Sequence, residues 1–239
     1  MATRLIVAID VPQFERAAKL VDLLTPLDVI FKIGYEALYG YGEAIRPVLE
    51  AAGAQYMLDV KLHDIPRTVE AAVHALVRPG VRLLTVHALG GGAMLRAAVD
   101  AAQARAADLR IAAPEILAIT LLTSIGPGQI NELGLQGGAG ENAIRLAALA
   151  RDAGCSGVVC SVHEVAELKA FLGGNFLALT PGIRPGGTSH GDQARVATPH
   201  AAQAAGADYI VVGRPIVGDA DPYNAARFIL DELAAGAQR

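Results

Sequence analysis

Short runs of β-branched and other apolar residues recur along the chain, each followed by a stretch rich in Ala and Leu at helical spacing. The apolar runs predict strands over Leu5–Asp10, Val29–Gly34, Tyr56–Leu62, Leu83–Ala88, Ile116–Leu122, Gly157–Ser161, Phe176–Pro181 and Tyr209–Gly213. The stretches between them predict helices over Pro12–Leu24, Glu36–Ala52, Ile65–Val77, Gly92–Ala106, Gly140–Ala153, Glu164–Leu172 and Pro199–Ala205, with a last one over Pro222–Leu233. Strands that are apolar on both faces and joined by helical crossovers make a parallel sheet covered by helices. Eight such units in 239 residues, without a Pro/Ser/Gly linker or a low-complexity segment, predict an α/β fold, a (β/α)8 TIM barrel, as one catalytic domain over residues 1–239. The competing architecture is an open doubly wound sheet.

A barrel of this kind builds its site from the C-terminal ends of the strands and the loops after them. The first strand ends in Asp10, the second carries Lys32, the third Asp59 and Lys61, the fourth His87, and the fifth runs into Thr123. Ser161 ends the sixth, Arg184 follows the seventh, and Gly213-Arg214 follows the eighth. Some of these residues have a plainer reading: Ser161 and His87 could simply satisfy backbone groups or fill the barrel mouth, and Asp10 could cap a helix starting at Pro12. Lys32 is harder to set aside, because an ammonium inside Ile30-Phe31-Lys32-Ile33-Gly34 is costly to bury without a partner.

The segment Leu58-Asp59-Val60-Lys61-Leu62-His63-Asp64 is the most informative. Strand alternation turns Asp59 and Lys61 together into the barrel mouth while Val60 and Leu62 pack outward. Asp64 lies just beyond, so the pattern predicts a lysine held between two carboxylates, whose charges favour its ammonium form. A buried structural ion pair is the alternative. After the seventh strand, the glycine-rich stretch from Thr180 to Gln193 suits a loop that closes over a ligand, or a surface loop without such a role. With Gly213-Arg214 after strand eight, it predicts a phosphate grip made of backbone N–H groups and guanidinium, and hence a phosphorylated small molecule.

Composition narrows the partners. Twenty Lys and Arg against twenty-four Asp and Glu give a formal charge of −4, with no basic run, which argues against a nucleic-acid surface. The apolar run at the N-terminus stops at Asp10 and Pro12, too short for a signal peptide or membrane span. Cys155 and Cys160 lie in apolar surroundings with no paired His, so they are expected to be buried thiols in a reducing cytoplasm, not zinc ligands.

Taken in order, Val7-Ala8-Ile9-Asp10, Phe31-Lys32-Ile33-Gly34, Asp59-Val60-Lys61-Leu62-His63-Asp64-Ile65-Pro66, Thr85-Val86-His87-Ala88, Leu122-Thr123-Ser124, Thr180-Pro181-Gly182-Ile183-Arg184 and Val212-Gly213-Arg214-Pro215-Ile216 resemble the orotidine 5′-phosphate decarboxylase family over nearly the full length. The resemblance implies cofactor-free, metal-free decarboxylation of orotidine 5′-monophosphate to uridine 5′-monophosphate in pyrimidine synthesis. It implies that Lys61 protonates C6 as carbon dioxide leaves and that Asp59 sits beside the departing carboxylate. Asp64 would reach the neighbouring subunit's site in a homodimer. Lys32 and Asp10 would hold the ribose hydroxyls, with Thr68 from the partner chain. Thr123 would contact the pyrimidine, although Ser124 could substitute, and Gln193 would bridge base and phosphate. Arg184, Gly213 and Arg214 would take the phosphate.

Two other readings share these features. Related barrels acting on sugar phosphates, of the 3-keto-L-gulonate 6-phosphate decarboxylase or hexulose-phosphate synthase type, share the Asp-x-Lys-x-x-Asp strand but bind magnesium and carry a carboxylate where this chain has Lys32. Oxygen ligands suit magnesium, and an ammonium repels it. A silent phosphate-ligand binder on the same scaffold would have no use for an ammonium between carboxylates.

Overall fold

The computed structural model describes residues 2–185 and 197–236. Eight strands, β1 (Arg4–Ala8), β2 (Ile30–Ile33), β3 (Tyr56–Leu62), β4 (Val81–His87), β5 (Glu115–Ile119), β6 (Gly157–Val159), β7 (Leu177–Thr180) and β8 (Tyr209–Val212), pair in sequence order. All eight neighbour pairs are parallel, and β8 pairs with β1 to close the barrel. The (β/α)8 prediction is met, and the open sheet is excluded by the β1–β8 ladder that joins Arg4 to Tyr209 and Val7 to Val212.

The helices are α1 (Phe14–Leu24), α2 (Tyr35–Gly40), α3 (Ile45–Ala51), α4 (Pro66–Leu76), α5 (Gly91–Leu109), α6 (Pro127–Glu132), α7 (Ala139–Asp152), α8 (Val162–Leu172), α9 (Pro199–Ala204), α10 (Arg214–Val217) and α11 (Pro222–Gly236). The expected helix over Glu36–Ala52 is in fact two helices with a 3-10 turn between them. Gly42 turns left-handed at φ 54°, and Pro47 falls in the first turn of α3, where its missing N–H costs no helical bond. The helix expected from Pro12 starts at Phe14 behind Gln13, so Asp10 is not its cap. Two short helices, α6 and α10, lie in connections read from the sequence as loops.

Apolar packing has two layers. Inside the barrel, Ile6, Ile30, Met57, Leu83, Leu117 and Leu179 share one buried cluster, and a larger one lies between the strands and the helices around them. Removing a side chain of this size from water stabilises the fold by about 1.5–3 kcal/mol. Val60 and Leu62 pack against the outer cluster, as alternation requires. The interior positions turn polar toward the strand ends: Ile30 is followed by Lys32, Met57 by Asp59, and Leu83 by Thr85. The apolar plug thus ends where a polar cavity begins.

Candidate active site

Four alternating charges cross the barrel mouth from β1 to β3. Lys32 Nζ is 3.0 Å from Asp10 Oδ1 and 3.4 Å from Asp59 Oδ2, and Lys61 Nζ is 2.8 Å from Asp59 Oδ1. Gly34 makes room for the first pair, since a Cβ there would stand 2.7 Å from Lys32 Nζ and 3.1 Å from Asp10 Oδ1. Asp59 is buried. Burial pushes its carboxyl up, but the Lys32 and Lys61 charges and hydrogen bonds from Lys61 and Thr85 outweigh that, so it lies below the ordinary carboxylate range. Asp59 is therefore a fixed anion held between two cations.

Within the single chain Lys61 meets one of the two expected carboxylates, Asp59. Asp64 is exposed and accepts a hydrogen bond from the Ile65 N–H at 2.7 Å, and among the described residues it forms no ion pair. It lies two residues before α4, and Thr68 in the first turn of α4 is exposed too. Neither residue lines the cavity.

The cavity has a volume of about 550 Å³. Asp10, Lys32, Asp59 and Lys61 line one part of it, and Arg184, Gly213 and Arg214 line it from the ends of β7 and β8. Thr123 and Ser124 both face it, so either can reach a ligand. Glu36, at the start of α2, adds a carboxylate that the sequence reading missed. Gln193 lies outside the described residues, as does most of the loop after Arg184.

Ser161 takes the plainer reading, whereas His87 satisfies no backbone group: its buried Nδ1 has no hydrogen-bond partner among the described residues. Ser161 caps α8, accepting from the His163 N–H while its own N–H donates to Glu164 Oε2 at 2.9 Å. His87 stacks on His63 with ring centroids 5.2 Å apart, and burial, then His63, then Lys61 hold its imidazole below the usual histidine range. Cys155 and Cys160 are buried thiols not joined in a disulfide, and burial pushes Cys155 up to about 12. Among the described residues no group of three or more His, Cys, Asp or Glu is placed to hold a metal, and no helix is long and apolar enough to cross a membrane.

Two contacts at Lys61 had no counterpart in the sequence reading. Thr85 Oγ1 accepts the Lys61 main-chain N–H at 2.9 Å and donates to Asp59 Oδ1 at 3.1 Å. The Tyr35 ring lies 5.3 Å from Lys61 Nζ. A signal for Thr85 existed: it is the one polar residue between Leu83 and Val86, two residues before the strand end at His87.

Fold and site together define a (β/α)8 barrel whose C-terminal mouth holds an ordered row of lysines and aspartates opposite two arginines. Comparison with known proteins makes that class specific. Residues 3–229 match the family model described as Orotidine 5'-phosphate decarboxylase / HUMPS family, and the chain belongs to that family. Orotidine 5'-phosphate decarboxylase of Moorella thermoacetica is 45% identical over 231 residues, covering 96% of this chain and 92% of the relative. The protein of the same name from Paramagnetospirillum magneticum is 44% identical, covering 95% and 97%. The crystal structure of Orotidine 5'-phosphate decarboxylase from Lactobacillus acidophilus superposes with a TM-score of 0.84 at 38% identity, covering 97% of this chain and 99% of that one.

Proposed function

We propose that this chain is a carboxy-lyase that converts orotidine 5′-monophosphate to uridine 5′-monophosphate and carbon dioxide in pyrimidine synthesis. The observation that carries the reading is the Asp59–Lys61 couple at 2.8 Å on the wall of a cavity that also presents Arg184 and Arg214. Family membership and the names of relatives matched over nearly their whole length support the same reaction.

The chemistry asks for such a couple. Breaking the bond from C6 to the carboxylate leaves the electron pair on an sp² carbon with no adjacent π-system to spread it. A fixed cation beside that carbon stabilises the charge as it develops. Lys61 supplies the cation and then its Nζ proton, which forms the new C6–H bond, and solvent reprotonates the amine. Asp59 faces the substrate carboxylate, and their repulsion is relieved as the carboxylate becomes neutral carbon dioxide. No electron sink is required, so the reaction proceeds without a cofactor.

The rest of the cavity binds. Asp10 and Lys32 hold the ribose hydroxyls, and Thr123 or Ser124 meets the pyrimidine ring. Arg184, Arg214 and the Gly213 backbone take the phosphate, with Gln193 joining from the loop after β7. A guanidinium grips phosphate oxygens bidentately, and that remote binding energy drives closure over the base, so it is spent on the chemical step. Asp64 and Thr68 complete the partner's site in a homodimer. Their position outside their own cavity supports this, as does Ile65 between them, 66% exposed in the single chain. The enzyme acts on a small molecule in the cytoplasm, with no nucleic acid or membrane partner.

The magnesium-dependent sugar-phosphate reading fits less well. The Lys32 ammonium, 3.0 Å from Asp10 and 3.4 Å from Asp59, holds the position between carboxylates that a divalent cation would need. The direct test is ultraviolet absorbance after mixing the protein with orotidine 5′-monophosphate. Turnover that survives exhaustive chelation is expected. No absorbance change at micromolar protein rejects the reading, and strict dependence on added magnesium transfers the chain to the rival reaction. Sedimentation showing only monomer while activity persists rejects the shared site.

A further inference from the structure

The Val60–Lys61 peptide stands out of the barrel's ladder. The β3–β4 register shifts between Leu58 and Leu62, and Lys61 sits at φ 44°, one of three non-glycine residues with positive φ among those described. Left-handed backbone strains a residue with a Cβ, and it persists only where the surroundings over-determine it. Here both polar atoms of the displaced peptide are taken by side chains. The Lys61 N–H donates to Thr85 Oγ1 at 2.9 Å, and the Val60 carbonyl accepts from the Tyr35 hydroxyl at 3.0 Å.

The same two side chains also reach the ammonium end of Lys61. Thr85 passes its single hydroxyl proton to Asp59 Oδ1 at 3.1 Å, the oxygen that Lys61 Nζ approaches to 2.8 Å. Backbone N–H, Thr85 hydroxyl, Asp59 carboxylate and Lys61 ammonium thus form one closed circuit, pinned at its root and at its tip. Thr85 is fully buried, so no water can replace its hydroxyl without a cavity opening. The Tyr35 ring, 5.3 Å from Nζ, lies on the cation as its hydroxyl holds the peptide behind it.

We infer that Thr85 and Tyr35 are positioning residues for the proton donor: together they clamp the Val60–Lys61 peptide in its turned-out conformation and so fix where the Lys61 ammonium points. Neither is required to touch substrate. The inference rests on the decarboxylase reading, since it gives Lys61 a target atom. Without the clamp the peptide relaxes toward the regular ladder, the lysine root rotates, and the ammonium leaves its attack geometry while the binding groups at β1, β2 and β8 stay put.

Thr85→Val keeps the shape and removes the hydroxyl, Thr85→Ser restores the hydroxyl, and Tyr35→Phe keeps the ring and frees the carbonyl. Thr85→Val is expected to lower kcat about 10- to 100-fold with KM changed by less than about threefold, as for a donor displaced by a fraction of an ångström. Thr85→Ser should return to within about threefold of the parent, and Tyr35→Phe should lose about three- to tenfold in kcat. An activity-independent reading accompanies these: hydrogen exchange at the Lys61 amide should be slow in the parent and in Thr85→Ser, and at least about tenfold faster in Thr85→Val. Unchanged kcat in both Thr85→Val and Tyr35→Phe overturns the inference, and so do equal losses in Thr85→Val and Thr85→Ser or an unaltered Lys61 amide in Thr85→Val. If Thr85→Val does not fold, Tyr35→Phe, at a half-exposed ring, decides. A parent protein inactive on orotidine 5′-monophosphate rejects the decarboxylase reading instead, and the amide exchange then tests the clamp alone.

Discussion

The two ends of the barrel both hold charged groups, yet they do different things with them. At the N-terminal end, Arg82 meets Glu115 Oε1 at 2.7 Å and the Tyr209 hydroxyl donates to Glu115 Oε2 at 3.1 Å, so one carboxylate ties the first residues of β5 and β8 to Arg82 of β4. Nearby, Lys169 meets Asp208 at 2.6 Å, and the same carboxylate oxygen accepts the Ala178 N–H of β7. There each carboxylate is used up by its neighbours. At the C-terminal mouth, Lys32, Lys61, Arg184 and Arg214 line the cavity together with Asp10, Glu36 and Asp59. The network at the N-terminal end holds strands together, whereas the charges at the mouth border an open cavity and can meet an anionic ligand. Charge inside a barrel therefore marks a site where it lines a cavity.

Substitutions at the two ends should separate these roles. Lys61→Ala is expected to have the largest effect, lowering turnover on orotidine 5′-monophosphate on the order of 10⁴-fold with little change in melting temperature. Wild-type turnover in that variant would remove the mechanism. Gly34→Ala comes next: its Cβ would crowd both Lys32 Nζ and Asp10 Oδ1, so the Lys32 ammonium must shift from its place, and activity should fall about 10- to 100-fold while circular dichroism is retained. Glu115→Ala should do the reverse. It breaks a partly exposed pair, with a cost of about 1–3 kcal/mol and a melting temperature lower by about 2–4 °C per kcal/mol, while kcat holds. A large loss of kcat there would erase the contrast between the two ends.

Acidity should sharpen the comparison with smaller effects. Because Asp59 lies below the ordinary carboxylate range, its contribution to stability is fully present above the unfolded value of about 4 and is lost as pH falls through the lower folded value. The Asp59 contribution to the kcat/KM profile should accordingly persist through the usual carboxylate range and be lost only beneath it. His87 is also depressed, so the unfolded chain takes up its proton first, at about 6.5, and stability should decline as pH falls below that value. His87→Gln should flatten this part of a pH series of melting temperatures. An unchanged slope would mean that other groups carry it.

What the residues predict alone and what folding adds can be separated at particular positions. Eight apolar runs spaced by helical segments predict a helix-covered parallel sheet of barrel size, because strand burial on both faces and crossover length are local properties, whereas closure is settled by the β1–β8 ladder. Alternation likewise sends Asp59 and Lys61 to the mouth and Val60 and Leu62 to the outer core. The helix break at Gly42 and the starts of α6 and α10 were less legible, since Gly and Pro there act through local geometry that the apolar period does not record. Asp10 was open between two roles, helix cap or site residue, until Gln13 was found before α1 and the β1–β2 register placed Ala8 beside Lys32.

The chain's own order of residues therefore determined the alternation of strands and helices, the strand ends that carry the chemistry, and most of the side chains that meet there, while closure of the sheet came from the β1–β8 ladder. Only the tertiary structure decided that Asp59 lies between two lysines, that Asp64 and Thr68 do not line their own chain's cavity, and that Thr85 and Tyr35 hold the peptide behind Lys61. The physical reason is separation along the chain: periodicity fixes which face a residue takes, but the partner it meets there comes from a strand or helix 20 or more residues away, and only barrel closure brings the two together.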